Sequence, residues 1–551
     1  MKLKKNIFLF LSIFIIASGI FFRFWQLGSI PPGVQYDEAF NGLNALEALK
    51  TGDYKIFYTE NYGREGFHIN VTAFFVKIFG PTSLSLRVAN AIWGSLTLIG
   101  FYLLLRQLKF SKISVLLGTF MITYSFWHLD FSRTAYRAIM VPLLLSWIFY
   151  FFFKAVDSEK NRRLYFAASG ILFGLGFHTY IAFRIAPIIL MAVVLAVIFT
   201  KKDFLKKNWK SAALFASASL IIALPIFVYY SSHMKDFLSR SEAVSIFNTP
   251  KMSSGAAFAT SLSTHINAFF VSGDKNPRHN YHSQPLLPAA WSVLFALGFF
   301  ISLSEIGATI INLIRKKFGK TGDTGDPATK WFYVSVLAQS IFWCMMLPGI
   351  LSIEGIPHSL RIIGAIPAVF LFTVLPFEYL FSVYDQLKNA GSKEGKFWKP
   401  DKFMVLIYGI IIMVMYGGFI QVYTYFGPWS KDLATYGGYE RKLYNLGNLI
   451  QNTALHKNNY LITAYNAWVS SDGKKTSLKT AEYIGYPNSQ QFNFYKPTDG
   501  INAISCEDPL LIFQESDQWL RDQYKNKCPN LTQQRFAYDS GKYMFWVMTS
   551  K

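Results

Sequence analysis

The sequence predicts an α-helical polytopic membrane protein with a small α/β or α+β domain at its C-terminal end. Three observations predict this fold class. Of the 551 residues, 52% are hydrophobic, 18% are aromatic and only 16% are charged, whereas soluble domains carry about 25% charged residues. Long uncharged runs recur along the chain, and basic residues gather in the short segments between them. Together these features exclude an ordinary soluble enzyme, a secreted disulfide scaffold and a disordered tail.

Each apolar run has about the length that a helix needs to cross a bilayer. The first run, residues 7–22, resembles a signal peptide, but bulky residues follow it in place of a cleavage site, which predicts a retained span. With ten further runs, we expect about eleven transmembrane helices. The ten runs lie near residues 88–105, 113–127, 138–153, 164–181, 185–200, 211–230, 287–313, 331–350, 362–382 and 403–425.

Alternate connections between these runs are basic. With the N-terminal lysines they hold about 25 of the 54 Lys and Arg residues, which predicts that they lie in the cytoplasm. An odd number of spans then places the C-terminus outside a bacterial plasma membrane. The net charge of +22 therefore sets topology and predicts no nucleic-acid partner. The basic connections are residues 106–112, 154–163, 201–210, 315–330 and 388–402.

Three long segments fall on the predicted outer side. Two are the loops 23–86 and 231–286, and the third is the tail. Within the first loop, residues 39–49 have apolar positions near helical spacing, which predicts an interfacial helix. We therefore expect a transmembrane domain, residues 1–426, and an extracytoplasmic domain, residues 427–551.

The tail alternates helix-like and strand-like stretches. A closing hairpin is expected around Ser540-Gly541. Cys506 and Cys528 flank a predicted strand and helix, and the sequence leaves open whether they form a disulfide. The predicted helices are residues 444–455 and 517–525, and the predicted strands are residues 460–463, 510–513, 535–538 and 543–548.

Two adjacent carboxylates, Asp37 and Glu38, follow the first run by a short distance. Beside a membrane such a pair can act as a general base, orient a hydroxyl group or bind a metal. The alternative is a helix N-cap, because acidic residues favour the N-terminus of a helix and one is predicted from Ala39.

Cationic side chains gather at the outer ends of the predicted spans, against the positive-inside bias. Each could merely extend to the lipid headgroups, but together they favour a pocket for an anion that the membrane presents, most simply a lipid phosphate. The set comprises Arg87, Arg133, Arg137, Arg184, His358 and Arg361.

The second outer loop adds Arg278 and His279 as candidate substrate contacts. His279 and His282 are three residues apart, but no Cys or second His pair completes a tetrahedral zinc site in the sequence. The sequence therefore predicts no metal ligands.

In this order and topology, the motifs resemble those of the bacterial protein O-mannosyltransferase and aminoarabinose transferase group. These are glycosyltransferases of the GT-C type, similar to glycosyltransferase family 39, that use polyprenyl-phosphate sugars. The resemblance covers about residues 5–425. The motifs are Asp37-Glu38, Arg87, Asp130-Phe131-Ser132-Arg133, Gly273-Asp274, residues 276–280 and residues 357–361.

The resemblance implies that Asp37 is the base that activates an acceptor, that Glu38 supports it and that Arg87 holds the donor phosphate. Asp130 and Glu65 are further catalytic candidates by the same resemblance. The implied reaction moves a hexosyl or pentosyl group from a polyprenyl-phosphate donor to a hydroxyl of a protein, glycolipid or cell-envelope polymer, with inversion. No cofactor is required, although Mg²⁺ or Mn²⁺ could take part. The expected partners are the donor, membrane lipid and the acceptor.

Two other functions remain as alternatives. A transporter or flippase for a lipid-linked saccharide would need charges within the spans and a repeat that relates two halves. The sequence shows no clear repeat, and the unusual charges cluster on one predicted face. A catalytically inactive relative that serves as an envelope scaffold is disfavoured by the intact acidic pair and arginine set.

Overall fold

Helices account for most of the fold. The computed structural model describes residues 3–201, 203–248, 253–317, 330–389, 400–464 and 478–550. Most of the predicted basic connections 315–330 and 388–402 lies outside the described residues. The helices are α1 (Lys5–Phe24), α2 (Tyr36–Thr51), α3 (Phe67–Phe79), α4 (Ser83–Gln107), α5 (Lys112–Tyr124), α6 (Phe126–Arg133), α7 (Met140–Asp157), α8 (Arg162–Gly176), α9 (Ala186–Thr200), α10 (Phe204–Ser232), α11 (Met234–Ala243), α12 (Ser254–Asn267), α13 (Ala289–Lys317), α14 (Lys330–Ile350), α15 (Ile366–Asn389), α16 (Pro400–Thr424), α17 (Leu433–Gly438), α18 (Arg441–Asn452), α19 (Lys479–Ile484), α20 (Pro497–Ala503) and α21 (Gln518–Lys527).

Within the described residues, nine helices are long and apolar enough to cross a membrane. This finding confirms the predicted class of helical polytopic membrane protein. The other two predicted runs also fold as helices, α5 with 13 residues and α8 with 15. At 1.5 Å per residue they extend about 20 Å and 22 Å, which is less than the roughly 30 Å of a hydrocarbon core. All eleven runs are thus helical, and two of them are too short to cross alone.

The chain that follows α5 folds as a separate helix, α6. Ser125 separates the two helices, and its hydroxyl accepts a hydrogen bond from the His128 N–H at the start of α6. The sequence prediction ran the span on to residue 127 because Phe126 and Trp127 are as apolar as the residues before them. Every residue of α6 is buried, so its charged side chains lie in the protein interior.

The described chain forms two compact units. Unit 1 comprises Met1–Trp25, Lys55–His68 and Asn90–Trp429. Unit 2 comprises Gln26–Tyr54, Ile69–Ala89 and Ser430–Lys551. The sequence placed its domain boundary after residue 426, close to the point where the last segment of unit 2 begins. Unit 2 also includes two parts of the first predicted outer loop and the start of α4.

Unit 2 contains a mixed five-stranded sheet with the strand order β4-β3-β5-β7-β6. The central strands β3 and β5 are parallel, whereas β6 and β7 form the predicted antiparallel hairpin. β5 is buried along its whole length, as its uninterrupted apolar sequence predicts. The strands are β1 (Phe57–Tyr58) and β2 (Arg64–Glu65) in unit 1, and β3 (Asn458–Ile462), β4 (Phe492–Tyr495), β5 (Pro509–Phe513), β6 (Leu531–Tyr538) and β7 (Tyr543–Ser550) in unit 2.

Helices cover both faces of this sheet. One apolar cluster joins α18 and α19 to the sheet through Leu449, Ala481 and Ile512. The other joins α21 to the opposite face through Leu520, Tyr524 and Leu511. The predicted small α/β or α+β domain is therefore confirmed as a fold.

A disulfide links Cys506 and Cys528, whose Cα atoms are 5.5 Å apart. We expect the double substitution Cys506→Ser with Cys528→Ser to lower the free energy of unfolding by about 3 kcal/mol, because the bond closes a loop and restricts the unfolded chain. Thermal unfolding of the full chain with and without reductant measures this effect. The buried Cys344→Ser variant, which keeps the bond, serves as the control. A melting temperature that reductant does not change would contradict the prediction.

Candidate functional site

The acidic pair lies in the first turn of α2. Gln35, and neither member of the pair, is the N-cap residue. The Gln35 side-chain oxygen accepts a hydrogen bond from the Asp37 N–H at 2.7 Å, and the Glu38 carboxylate accepts one from the Gln35 N–H at 3.0 Å. This capping box starts the helix at Tyr36, three residues before the predicted start at Ala39.

Glu38 and Arg87 form a fully buried ion pair within unit 2. The Arg87 Nε and Nη2 atoms each lie 3.1 Å from a different oxygen of Glu38, so the pair is bidentate. Arg87 also donates to the Pro31 carbonyl at 2.9 Å and to the Gly33 carbonyl. Both side chains have no exposed surface. Arg87 therefore fixes the turn before α2, and its role as the donor-phosphate ligand stays a prediction.

Asp37 differs from its neighbour in its exposure. Its side chain is only partly buried, and one carboxylate oxygen accepts a hydrogen bond from Gln35 Nε2 at 3.2 Å. Glu38 is completely buried. Of the two predicted carboxylates, Asp37 is thus the one that retains surface for an incoming group.

In unit 1, Glu65 brings together two of the predicted arginines. Its carboxylate lies 3.0 Å from Arg137 Nε and 3.5 Å from Arg184 Nη2. Arg184 also donates to the Tyr230 hydroxyl at 2.9 Å and to the Phe237 carbonyl at 2.7 Å. One buried carboxylate thus faces two partly exposed guanidinium groups, and these three side chains carry a net positive charge.

Four further charged or titratable groups lie on or against α6. Asp130 and Arg133 are both fully buried. Arg133 donates to the Phe22 carbonyl at 2.6 Å, and its guanidinium carbon lies 4.9 Å from the centre of the Phe426 ring. Arg23 places Nη2 2.6 Å from Nδ1 of His128. Arg23 was not among the predicted site residues, although an arginine at the end of an apolar run is a signal that the sequence contains.

Asp274 connects the second predicted outer loop to the segment before α15. Its Oδ2 atom accepts hydrogen bonds from the N–H and the hydroxyl of Ser359, both at 2.8 Å. The same oxygen lies 2.9 Å from Nδ1 of His279. The rings of His279 and His358 are centred 5.0 Å apart. Asp274 thus contacts His279 directly and contacts Ser359, the neighbour of His358, so it brings two predicted candidates close together. In the sequence, Asp274 was named only as part of a motif.

Burial and charge shift the protonation of this group. Burial alone would raise the pKa of Asp274, but the charge of His279 and its hydrogen bond hold that pKa well below the usual range. Burial, followed by the charge of His279, lowers the pKa of His358 well below its ordinary value. At neutral pH, Asp274 is therefore a carboxylate and His358 is a neutral imidazole.

The other two predicted candidates in this region, Arg278 and Arg361, have partners other than Asp274. Arg278 is half-buried and donates from Nε to the side-chain oxygen of Asn276 at 3.1 Å. Arg361 forms an ion pair with the exposed Glu354, and its own side chain is largely buried. Asn90, which the sequence analysis did not select, donates to the carbonyls of the chain that follows α6 and accepts from or donates to His68 Nε2 at 2.8 Å.

A protein-family model matches part of the sequence. Residues 68–229, less than a third of the chain, match the family model described as dolichyl-phosphate-mannose-protein mannosyltransferase. No curated protein sequence gives a match.

Solved structures share the fold over nearly the whole chain. ArnT from Cupriavidus metallidurans in the apo state has a TM-score of 0.51 and 14% identity, with 97% of each chain covered. The Archaeoglobus fulgidus oligosaccharyltransferase in the apo form has a TM-score of 0.51 and 15% identity over 90% of this chain, which spans only 66% of that chain. AglB from the same archaeon, in complex with an inhibitory peptide and a dolichol-phosphate, has a TM-score of 0.50 and 13% identity, with 99% and 74% covered.

These likenesses and the nine apolar helices of the described residues agree with the class that the sequence predicted. Residues 68–229 match the dolichyl-phosphate-mannose-protein mannosyltransferase family model, and the chain as a whole shares its fold with ArnT and the archaeal oligosaccharyltransferase.

Proposed function

We propose that this protein transfers a hexosyl or pentosyl group from a polyprenyl-phosphate donor to an acceptor hydroxyl, with Asp37 as the base. The observation that carries the proposal is the different state of the two adjacent carboxylates. Glu38 forms a buried ion pair with Arg87, whereas Asp37 keeps exposed surface at the start of α2.

A lipid monophosphate donor suits the arginines of unit 1. AglB, which shares the fold, has been solved with a dolichol-phosphate, a lipid of this chemistry. Arg137 and Arg184 both lie beside Glu65, and guanidinium groups held close together favour a phosphate anion. We propose these two arginines as the first ligands of the donor phosphate, with Arg133, Arg361 and Arg278 as further members of the set.

The proposed reaction is one displacement. The Asp37 carboxylate takes the proton of the acceptor hydroxyl, and the acceptor oxygen bonds to the anomeric carbon from the side opposite the phosphate. The bond between that carbon and the phosphate oxygen breaks, and its electron pair stays on the polyprenyl phosphate. The guanidinium charges of Arg137 and Arg184 stabilise this leaving group. A divalent metal is not needed for the step.

The acceptor is proposed to be a protein, a glycolipid or a cell-envelope polymer on the extracytoplasmic face. The disulfide of unit 2 supports this placement, because such bonds persist in oxidising compartments. The basic connections support it as well, since the positive-inside rule predicts that they lie in the cytoplasm.

The test is donor turnover by the purified full-length protein in detergent, with a panel of radiolabelled polyprenyl-phosphate sugars and a mixture of candidate acceptors. We expect sugar to leave the lipid and to appear on an acceptor with the opposite anomeric configuration. Retained configuration would refute a single displacement. Movement of intact donor across vesicles without release of sugar would favour a flippase instead.

A further inference from the structure

We propose that Asp274, His279 and His358 bind one divalent transition-metal ion, with zinc as the best fit. The sequence analysis considered His279 with His282 and found the set too small for zinc. The structure supplies different partners, because the chain returns after 85 residues to place Ser359, and with it His358, beside Asp274. Within the described residues, these three side chains are a group able to hold a metal.

The distances permit coordination after a small movement. One nitrogen from each imidazole and one carboxylate oxygen all lie within 4.8 Å of one another. Zinc holds such atoms at about 2.0–2.2 Å, which separates neighbouring ligand atoms in a tetrahedron by about 3.4 Å.

A second observation points to a ligand independently of the cluster. Nδ1 of His358 is buried and has no hydrogen-bond partner among the described residues. A buried polar atom without a partner costs free energy, and native proteins usually satisfy such atoms. A metal ion bound to this nitrogen would remove that cost.

The surrounding contacts hold the three side chains in place. Asp274 accepts from the Asn276 N–H through Oδ1 and from Ser359 through Oδ2, each at 2.8 Å. The His358 N–H donates to Nε2 of His265 at 3.2 Å, and the Trp127 indole donates to the Ser359 carbonyl at 3.1 Å. Metal sites depend on such outer contacts, which orient the ligands before the ion arrives.

The types of ligand atom determine which class of metal ion fits the site. Mg²⁺ and Ca²⁺ prefer oxygen ligands only, whereas two imidazoles with one carboxylate suit zinc and its neighbours in the first transition row. Three protein ligands leave a coordination position open, as in zinc sites that bind a substrate oxygen. In the proposed reaction that position suits an oxygen of the donor phosphate, an extension that rests on the proposed function.

The test measures zinc in the purified full-length protein in detergent, stripped with chelator, incubated with zinc chloride and freed of loose metal. We expect about one zinc ion per chain. His279→Ala and His358→Ala should each weaken binding at least about 100-fold, more than the loss of an outer contact does. His282→Ala, from the same loop, should bind as the wild type does.

Two further comparisons separate the loss of zinc binding from a loss of folding and from a loss of sugar transfer. His358→Asn keeps a polar side chain in the buried position, and its elution in size-exclusion chromatography reports whether the fold survives. Wild-type protein that takes up no zinc, or folded variants that bind it undiminished, would overturn the proposal. Because no donor is present, a failure here leaves the proposed transferase untouched, and a protein that binds zinc but transfers no sugar leaves the metal site standing.

Discussion

Asp37→Asn should leave the protein folded and lower sugar transfer by about 10²–10⁴-fold, the usual contribution of a general base. The asparagine is nearly isosteric, and its oxygen can still accept the hydrogen bond that Gln35 Nε2 donates. It cannot take a proton from the acceptor hydroxyl at neutral pH. We therefore expect kcat to fall while the affinity for the donor changes little.

The matched control is Glu47→Gln on the same helix. Glu47 is exposed, and its substitution removes a carboxylate from α2 without touching the acidic pair. It should transfer sugar at the wild-type rate. Wild-type turnover by the Asp37→Asn protein would remove Asp37 from the mechanism, whereas lost donor binding in that variant would make it a substrate ligand in place of a base.

Arg87→Met should lower the free energy of unfolding by about 3–5 kcal/mol, because it leaves the Glu38 carboxylate buried without its cation. The substitution also removes two hydrogen bonds that hold the turn at Pro31 and Gly33. Denaturation of the full-length protein in detergent, followed by loss of tertiary fluorescence, measures the change.

A double substitution separates the destabilisation caused by an unpaired buried charge from the destabilisation caused by lost packing. Arg87→Met combined with Glu38→Leu removes both charges, so it should recover a large part of the lost stability. The control is the exposed pair of Lys457 and Glu507, where Lys457→Ala should cost less than about 1 kcal/mol. A stable Arg87→Met protein that no longer binds donor would instead support the phosphate role that the resemblance implies.

The helices and strands were well predicted because their signals are local. A continuous apolar sequence marks the buried strand β5, and the turn at Ser540-Gly541 joins β6 to β7, where Gly541 has a φ of +88°. The predicted helix at residues 444–455 is α18, and the one at 517–525 is α21. Each signal lies within the element that it predicts, so no knowledge of distant residues was needed.

The break between α5 and α6 shows where local signals fail. Apolar side chains continue through Phe126 and Trp127. Ser125 ends α5 through its backbone N–H, which donates to the Met121 carbonyl, and caps α6 through its hydroxyl. Both Ser125 and the side chains around it are buried, so hydropathy does not change at the boundary. Only the packed structure shows that Asp130 and Arg133 belong to a separate buried helix.

The sequence by itself determined the membrane class, the positions of the long apolar helices, four of the five strands of the C-terminal sheet and most of the charged candidates, because hydropathy and residue type are local properties. The tertiary structure decided how those charges are paired. It paired Glu38 with Arg87, although 49 residues separate them along the chain, and Glu65 with Arg184, although 119 residues separate them. A buried charge needs a counter-ion wherever the fold can bring one, and only the packing of distant segments decides which one arrives.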